Sequence, residues 1–340
     1  MTKVDFVETV SNTAVLDLLE TCRSLGLIDD NALGILAINQ NTLKDPALRF
    51  SEKKLITLWH WLAEHSKFPE IGLLIGQTIN PSAKGLLASW VSQTESLGEA
   101  LEIFSTNIAL MNPSEHWDIK EHNGVCTLQF SFQQNKHYPT IAIERSMSAM
   151  VTWGRLLSGH KLPLIHTHFS FPATSYSKRF TDIFGHTITY GMPENSLRFE
   201  GSLLKLPIVS GNQFLKSIVE DKAKSTLETL TKEQFFTLKT KAAIEKLYSR
   251  KSMITIDSVC HELALSRQTL YRKLKDENCD FKSLNENHKQ TQALKLLQLK
   301  SENITSISHR LGYQDTSSFY KAFKRWFGMT PSSYINSLEN

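Results

Sequence analysis

A helical unit that occurs twice in the last hundred residues constrains this chain more than any other feature. The first copy is ITIDSVCHELALSRQTLYRKLKDE, Ile254 to Glu277, and the second is ITSISHRLGYQDTSSFYKAFKRWFG, Ile304 to Gly328. Ile256, Val259 and Leu263 give the first copy the apolar face of a short helix, and Ile304, Ile307 and Leu311 repeat it in the second. Leu265–Ser266 and Gly312–Tyr313 make the corners. Ser266 and Asp315 are placed to cap the helices that follow, because a short side-chain oxygen can accept from backbone N–H groups that have no partner inside the helix. Each second helix then carries two inward apolar residues four apart, Leu270 and Leu274 or Phe319 and Phe323, with Phe327 one turn further on.

The opposite faces are polar and basic. The first copy leaves Arg267, Gln268, Thr269, Tyr271, Arg272 and Lys275 outside, and the second leaves Thr316, Ser317, Tyr320, Lys321 and Lys324. A short helix, a tight corner and a second helix with such a face is the helix-turn-helix unit. The residue types suit duplex DNA: guanidinium groups can bond a guanine edge twice, amides an adenine edge, and hydroxyls and ammonium groups hold phosphates. Together with the capping residues Ser266 and Asp315, these positions are the candidate DNA-binding set. The ending DTSSFYKAFKRWFGMTP concentrates five aromatics among basic residues, yet its helical spacing sends Phe319, Phe323 and Phe327 to one inner face, which argues against a membrane-seeking segment.

Between the copies, Phe281 to Lys300 presents Leu284, Ala293, Leu296 and Leu297 at helical spacing. A helix from Leu284 to Leu299 is roughly 24 Å long. With domain breadth added, it can set two recognition helices about one DNA turn, near 34 Å, apart. Charge points the same way. Residues 231–340 hold 18 Lys+Arg against 11 Asp+Glu, whereas residues 1–230 hold 20 against 23, so the positive surplus is confined to the last third.

The first two thirds have a different pattern. LLETCRSLGLI, KKLITLWHWLAEHS and FPEIGLLIGQTI have helical spacing, and Ser96 with Glu99 predicts a capped helix over Leu97 to Leu110. WDIKEHNGVCTLQFSF alternates about Asn123–Gly124, a β-hairpin signal. A helix is expected from about Pro139 to Ser158. Then come a strand in PLIHTHFSFP, with His166 and His168 on one face, and another strand, a turn and a closing strand in ITYGMPENSLRFEGSLLKLP. About four strands are expected in all. The predicted fold class is α+β: a mixed α/β N-terminal regulatory domain over 1–215, a helical connector over 216–231, and an all-α domain over 232–340. The Gln213 to Leu230 stretch serves either as a connector or as a homodimerisation element.

The duplicated unit and the ending GYQDTSSFYKAFKRWFGMTPSSYI resemble the AraC/XylS family of transcription regulators, over about Phe236 to Ile335. Many members carry arginines where this chain has Asn287 and Lys289, which predicts weaker phosphate contacts or packing at the spacer. SLGLIDD, PEIGLLIG, SLGEALEIF and FPATSYSKRFTDIFGHTITYGMPENSLRFEGSLLKLP resemble the branch with an arabinose-binding-like sensor domain, the ornithine-utilisation-regulator type. The resemblance implies a sequence-specific, DNA-binding regulator, more an activator than a repressor, that contacts RNA polymerase and answers to a small-molecule effector it does not identify. Trp90 and Trp153 are the candidates to line the effector cavity.

Several classes are not supported. No apolar run reaches the length of a membrane span, and MTKVDFVETVSNT has no signal-peptide core, so a cytoplasmic protein is expected. Cys22, Cys126, Cys260 and Cys279 lie far apart without a CxxC pair, as expected of free thiols. His160, His166, His168 and His186 lack a third ligand at a telling spacing, and no nucleophile elbow, HExxH or phosphate loop occurs, so no metal, cofactor or enzyme activity is expected. The rival reading is a ligand-binding or structural protein with only nonspecific affinity for nucleic acid.

Overall fold

The computed structural model describes residues 9–45, 48–79, 85–133, 136–233, 235–277, 279–299 and 302–337. Residues 1–8, most of the stretch read above for a secretion signal, and Lys300 at the end of the spacer lie outside them. Two compact units divide at Glu228 and Thr229.

In the first unit, β1 (Thr9–Ser11) pairs antiparallel with β2 (Arg49–Ser51), and α1 (Asn12–Ser24), α2 (Asp30–Ile35) and α3 (Gln40–Leu43) lie between them in sequence. Sequence reading missed this pair because a three-residue strand shows no alternation. Arg49 fastens it, donating to the Thr9 carbonyl at 2.8 Å and the Leu110 carbonyl at 2.9 Å. Next come α4 (Glu52–His65), α5 (Ile71–Gln77), α6 (Leu86–Val91) and α7 (Leu97–Thr106). Ser96 caps α7 as expected, accepting from the Glu99 N–H at 3.3 Å, while the Glu99 carboxylate accepts from the Glu95 N–H at 2.8 Å. The helix stops at Thr106 rather than Leu110. Asn107 folds its amide back onto the Ile103 carbonyl, and Ile108–Leu110 form a separate 3-10 turn.

The main sheet holds β3 (Glu115–His122), β4 (Val125–Phe132), β5 (His166–His168), β6 (Ile188–Thr189) and β7 (Asn195–Glu200) in the order β3-β4-β7-β5-β6. Each lies in a segment read above as strand; with β1 and β2 the unit has seven described strands against the expected total of about four. Only the β5–β6 pairing is parallel. Asn123 and Gly124 turn the β3–β4 hairpin with φ of 50° and 77°, the two positive values that a type I′ turn requires. Between the strands run α8 (Thr140–Ser158) and α9 (Ser177–Phe184). Phe169 sits wholly buried against Phe171, Phe180 and Phe184. α5 crosses α8 at very short range through Gly72 and Gly76: a Cβ on Gly76 would lie 1.8 Å from Ser148 Oγ. The helix α10 (Gln213–Glu233) follows.

The second unit consists of α11 (Phe235–Ser249), α12 (Ile256–Glu262), α13 (Arg267–Asp276), α14 (Phe281–Leu299), α15 (Ile304–Arg310), α16 (Thr316–Phe327) and α17 (Pro331–Ser337). It has two apolar cores. One joins Ala243, Ile244 and Leu247 of α11 with Val259, Leu270, Leu274 and Leu284. The other joins Ala293, Leu294, Leu296 and Leu297 of α14 with Ile307, Leu311, Phe319 and Phe323. Thus α14 gives its first turn to one core and its last turns to the other.

Candidate nucleic-acid interface

Local chemistry starts each helix of the duplicated unit. Thr255 and Ser258 form a reciprocal capping box at α12: the Ser258 N–H donates to Thr255 Oγ1 at 3.1 Å and the Thr255 N–H to Ser258 Oγ at 2.9 Å. Asn303 accepts from the Ser306 N–H at 2.8 Å to begin α15. Ser266 caps α13 through the Thr269 N–H at 3.1 Å, and Thr269 turns its hydroxyl back to Ser266 Oγ at 2.8 Å. Asp315 caps α16 with both oxygens, taking the Ser318 N–H and hydroxyl at 2.7 Å each. These bonds hold the Asp315 carboxyl below the usual carboxylate range.

The first corner differs from the expected residues by one step, while the second falls on Gly312 as expected. In the first copy the chain turns at Ala264, φ 52°, ahead of Leu265–Ser266, and in the second at Gly312, φ 77°. The sequence hid the equivalence because alanine gives no turn signal.

On α13, Arg267, Gln268, Tyr271, Arg272 and Lys275 are exposed while Leu270 and Leu274 are buried. Lys273 leaves that face and lies 4.9 Å from the Phe236 ring centre on α11. Arg267 is exposed but engaged: its Nε and Nη2 both bond Asp257 of α12. On α16, Ser317, Lys321 and Lys324 are exposed, and Phe319 and Phe323 are fully buried. Thr316 and Tyr320 are half-buried, and Tyr320 shares a hydrogen bond of 2.8 Å with Ser332 of α17. Gly328 ends α16 with φ 73°, and Pro331 opens α17.

The spacer does more than keep distance. Glu286 of α14 accepts from Arg325 and, at 2.7 Å, from Trp326 Nε1, so Arg325 is drawn to the spacer. Lys289 lies 4.4 Å from the Tyr313 ring centre, and burial pushes its ammonium below the usual range. At this spacer position, the second copy's corner is held by a cation–π contact.

In the first unit, a cavity of about 30 Å³ is lined by apolar residues and by Asn112, Glu115, Tyr138, Arg145 and Ser146. Beside it, Tyr138 donates to Glu52 Oε1 at 2.9 Å and accepts from Asn112 at 3.1 Å, and Lys136 pairs with Glu52 Oε2 at 2.8 Å. Burial raises the Glu115 carboxyl and lifts Asp17 to about 6, each opposed by Arg145. Such a volume holds about two waters, so a metabolite enters only if the walls move. Trp90 and Trp153 do not line this cavity. Trp90 is buried in the sheet's core, and Trp153 packs against that core half-exposed. His166 bonds Thr189 at 2.8 Å with His168 stacked edge-on beside it. Among the described residues no group of His, Cys, Asp and Glu is placed to hold a metal ion, all four cysteines are free and buried, and no helix is long and apolar enough to cross a membrane.

An α+β unit followed by a helical unit with two capped helix-turn-helix copies defines a protein of the tandem helix-turn-helix class. The arabinose-binding N-terminal domain of AraC transcription regulators matches residues 26–208, and a helix-turn-helix domain matches residues 259–337. The chain therefore belongs to the AraC-type transcription regulators that carry this N-terminal domain: it is a DNA-binding helix-turn-helix regulator, from a family of regulators rather than enzymes. It is 22% identical to the ornithine utilization regulator of Pseudomonas aeruginosa over 78% of each chain. It is also 22% identical to the regulator VqsM of the same organism, over 88% of this chain and 95% of that one. The crystal structure of the P. aeruginosa transcriptional regulator CdpR covers 90% of this chain and 96% of its own at 21% identity, with a TM-score of 0.45.

Proposed function

We propose that α13 and α16 are the two DNA-reading helices of a sequence-specific regulator. Ser266, Arg267, Gln268, Thr269, Tyr271, Arg272 and Lys275 would contact one major groove, and Asp315, Thr316, Ser317, Tyr320, Lys321 and Lys324 the next. One observation carries the reading. Each helix buries its apolar side in its own core, α14 contributes to both cores, and both helices leave basic residues exposed, with the amide of Gln268 beside them on α13 and the hydroxyl of Ser317 on α16. Ser266 and Asp315 act by starting the helices: the neutral serine leaves the positive end of α13 open to a phosphate, whereas the ionised Asp315 offsets that of α16. Arg272, Lys275 and Lys324 make no ion pair among the described residues and are the first choices for phosphate.

The remaining parts of the reading rest on family. The N-terminal domain, 1–215 with a connector over 216–231, senses a small molecule, and the polar cavity beside Glu115 and Arg145 is the place to look for it. An effector acts only by binding one conformation better than another. The protein works in the cytoplasm, activates by contacting RNA polymerase, and forms a homodimer. A thermal-shift screen of metabolites on the intact chain, beginning with basic amino acids because one relative is named for ornithine utilisation, tests the sensor role. Hydroxyl-radical footprinting tests the DNA reading. Protection of two successive major grooves about 34 Å apart, with preference over random duplex, supports it; even protection of all sequences supports the nonspecific rival.

A further inference from the structure

The contact between Asp257 and Arg267 occurs in only one of the two copies. Asp257 is the second residue of α12 and Arg267 the first of α13, and both side chains are more than half exposed, at 58% and 66%. In the second copy the corresponding residues are Thr305 and Thr316, which carry no charge.

The atoms involved matter. A guanidinium has two bidentate edges: a side-on edge made by Nε and Nη2, and an end-on edge made by Nη1 and Nη2. Asp257 takes Nε with Oδ1 and Nη2 with Oδ2, which fills the side-on edge. Nη1 and the second N–H of Nη2 still point along the end-on edge, and two parallel N–H donors are what the O6 and N7 acceptors of guanine match in the major groove. The same carboxylate offsets the arginine's charge and lies where a phosphate oxygen would otherwise sit. Pairing holds Asp257 below the usual carboxylate range and Arg267 above its ordinary value, so both are ionised at neutral pH.

We infer that Asp257 is a specificity-determining residue that positions Arg267: it holds the guanidinium side-on, aims the end-on edge at a guanine, and withholds that charge from phosphates. This rests on the reading that α13 enters the major groove. It assigns to a residue outside the recognition helix a part in choosing the base that helix reads.

The test uses the full chain. Wild type and Asp257→Asn are each selected against a random-sequence duplex library, and affinities are then measured for the selected site, its single-base variants and random duplex over a range of salt. Asparagine keeps the size and can still accept one bond, but it lacks the charge and the second acceptor. The expected result is a loss of guanine preference at one position by about ten-fold. Affinity for random duplex should rise, and its log–log salt dependence should steepen by about 0.9, one additional phosphate contact. Asp257→Glu should restore part of the preference. Arg267→Lys, which cannot offer the fork, should lack it whatever stands at 257.

An equal change for every sequence would show that Asp257 merely sequesters Arg267, and an unchanged preference would show that it does nothing for base choice. Either result overturns the inference while leaving the DNA reading intact. A wild-type chain without sequence preference would overturn both. Thermal melting of the three variants, all at exposed positions, should match wild type, so a loss of fold cannot stand in for a loss of discrimination.

Discussion

Ala264 and Gly312 occupy the same corner in the two copies, one residue after the C-cap of the first helix, and both have left-handed backbone, with φ of 52° and 77°. Only the second copy has the residue that this conformation favours. Ala264→Gly should therefore relieve strain and stabilise the helical unit by about 0.5–1 kcal/mol after the entropy of the added glycine is counted, and Gly312→Ala should cost about 1 kcal/mol. The nearest neighbour of a Cβ at Gly312 is Lys289 Nζ at 3.7 Å, so backbone strain alone sets that cost. Urea unfolding of each variant decides; opposite signs at the two sites are the expected outcome.

The crossing of α5 and α8 has no room for a methyl group. A Cβ at Gly76 would lie 1.8 Å from Ser148 Oγ and 2.5 Å from the Arg145 carbonyl. Gly76→Ala should force the helices apart and destabilise the first unit by about 3 kcal/mol. Gly34, also helical, has nothing within 4 Å of the corresponding position, and Gly34→Ala should be neutral or slightly stabilising. Similar losses at both sites would argue against the tight crossing.

Two buried acids predict how stability varies with pH. Burial raises Glu144 from 4.5 to about 7, opposed by its bond from Tyr176, and raises Asp17 from 3.8 to about 6. In both cases the folded state holds its proton more tightly than the unfolded chain. Their contribution to stability is present at low pH and is lost as pH climbs from about 4 to 7. Glu144→Gln should flatten that decline, since an amide can still accept from Tyr176 without acquiring charge. Denaturant midpoints at pH 5 and pH 8 make the comparison; an unaltered difference between them would reject the assignment.

The exposed faces of α13 and α16 should separate by chemistry. Removing the ammonium of Lys275 or Lys324 should weaken all duplexes alike and reduce the salt slope by about one. Gln268→Ala should relax preference at one base position by about 1–3 kcal/mol. Competition binding against single-base variants tells the two patterns apart.

Phe323 is fully buried in the second of the two helical cores. Phe323→Ala should cost about 3–5 kcal/mol. Because the first core shares only α14 and the end of α11, through Tyr248, with it, amide exchange should speed up in α15 and α16 well before it does in α12 and α13.

The parts legible in the sequence are those governed by neighbours along the chain. Leu270 and Leu274, or Phe319 and Phe323, declare an inner face by a spacing of four. Ser96, Ser266 and Asp315 declare helix starts because a cap bonds an N–H three residues on. Asn123–Gly124 declares a hairpin by its own backbone preference. The helix of the spacer follows from periodicity within about one turn, Leu284–Leu299 against the observed Phe281–Leu299, but its sharing between two cores and the buried Leu294 came only from the structure.

What tertiary structure alone decided are contacts whose partners no local rule connects. Glu286 meets Arg325 across 39 residues, and Lys289 meets the Tyr313 ring across the second corner. The Asp257–Arg267 pair, the β1–β2 ribbon pinned by Arg49, and the polar cluster around Glu52 and Glu115 likewise require distant elements to be packed first. Periodicity and capping fixed which face of each helix would be buried, since they act within one turn. Which charges on the remaining face stay free for DNA depended on what another helix placed beside them.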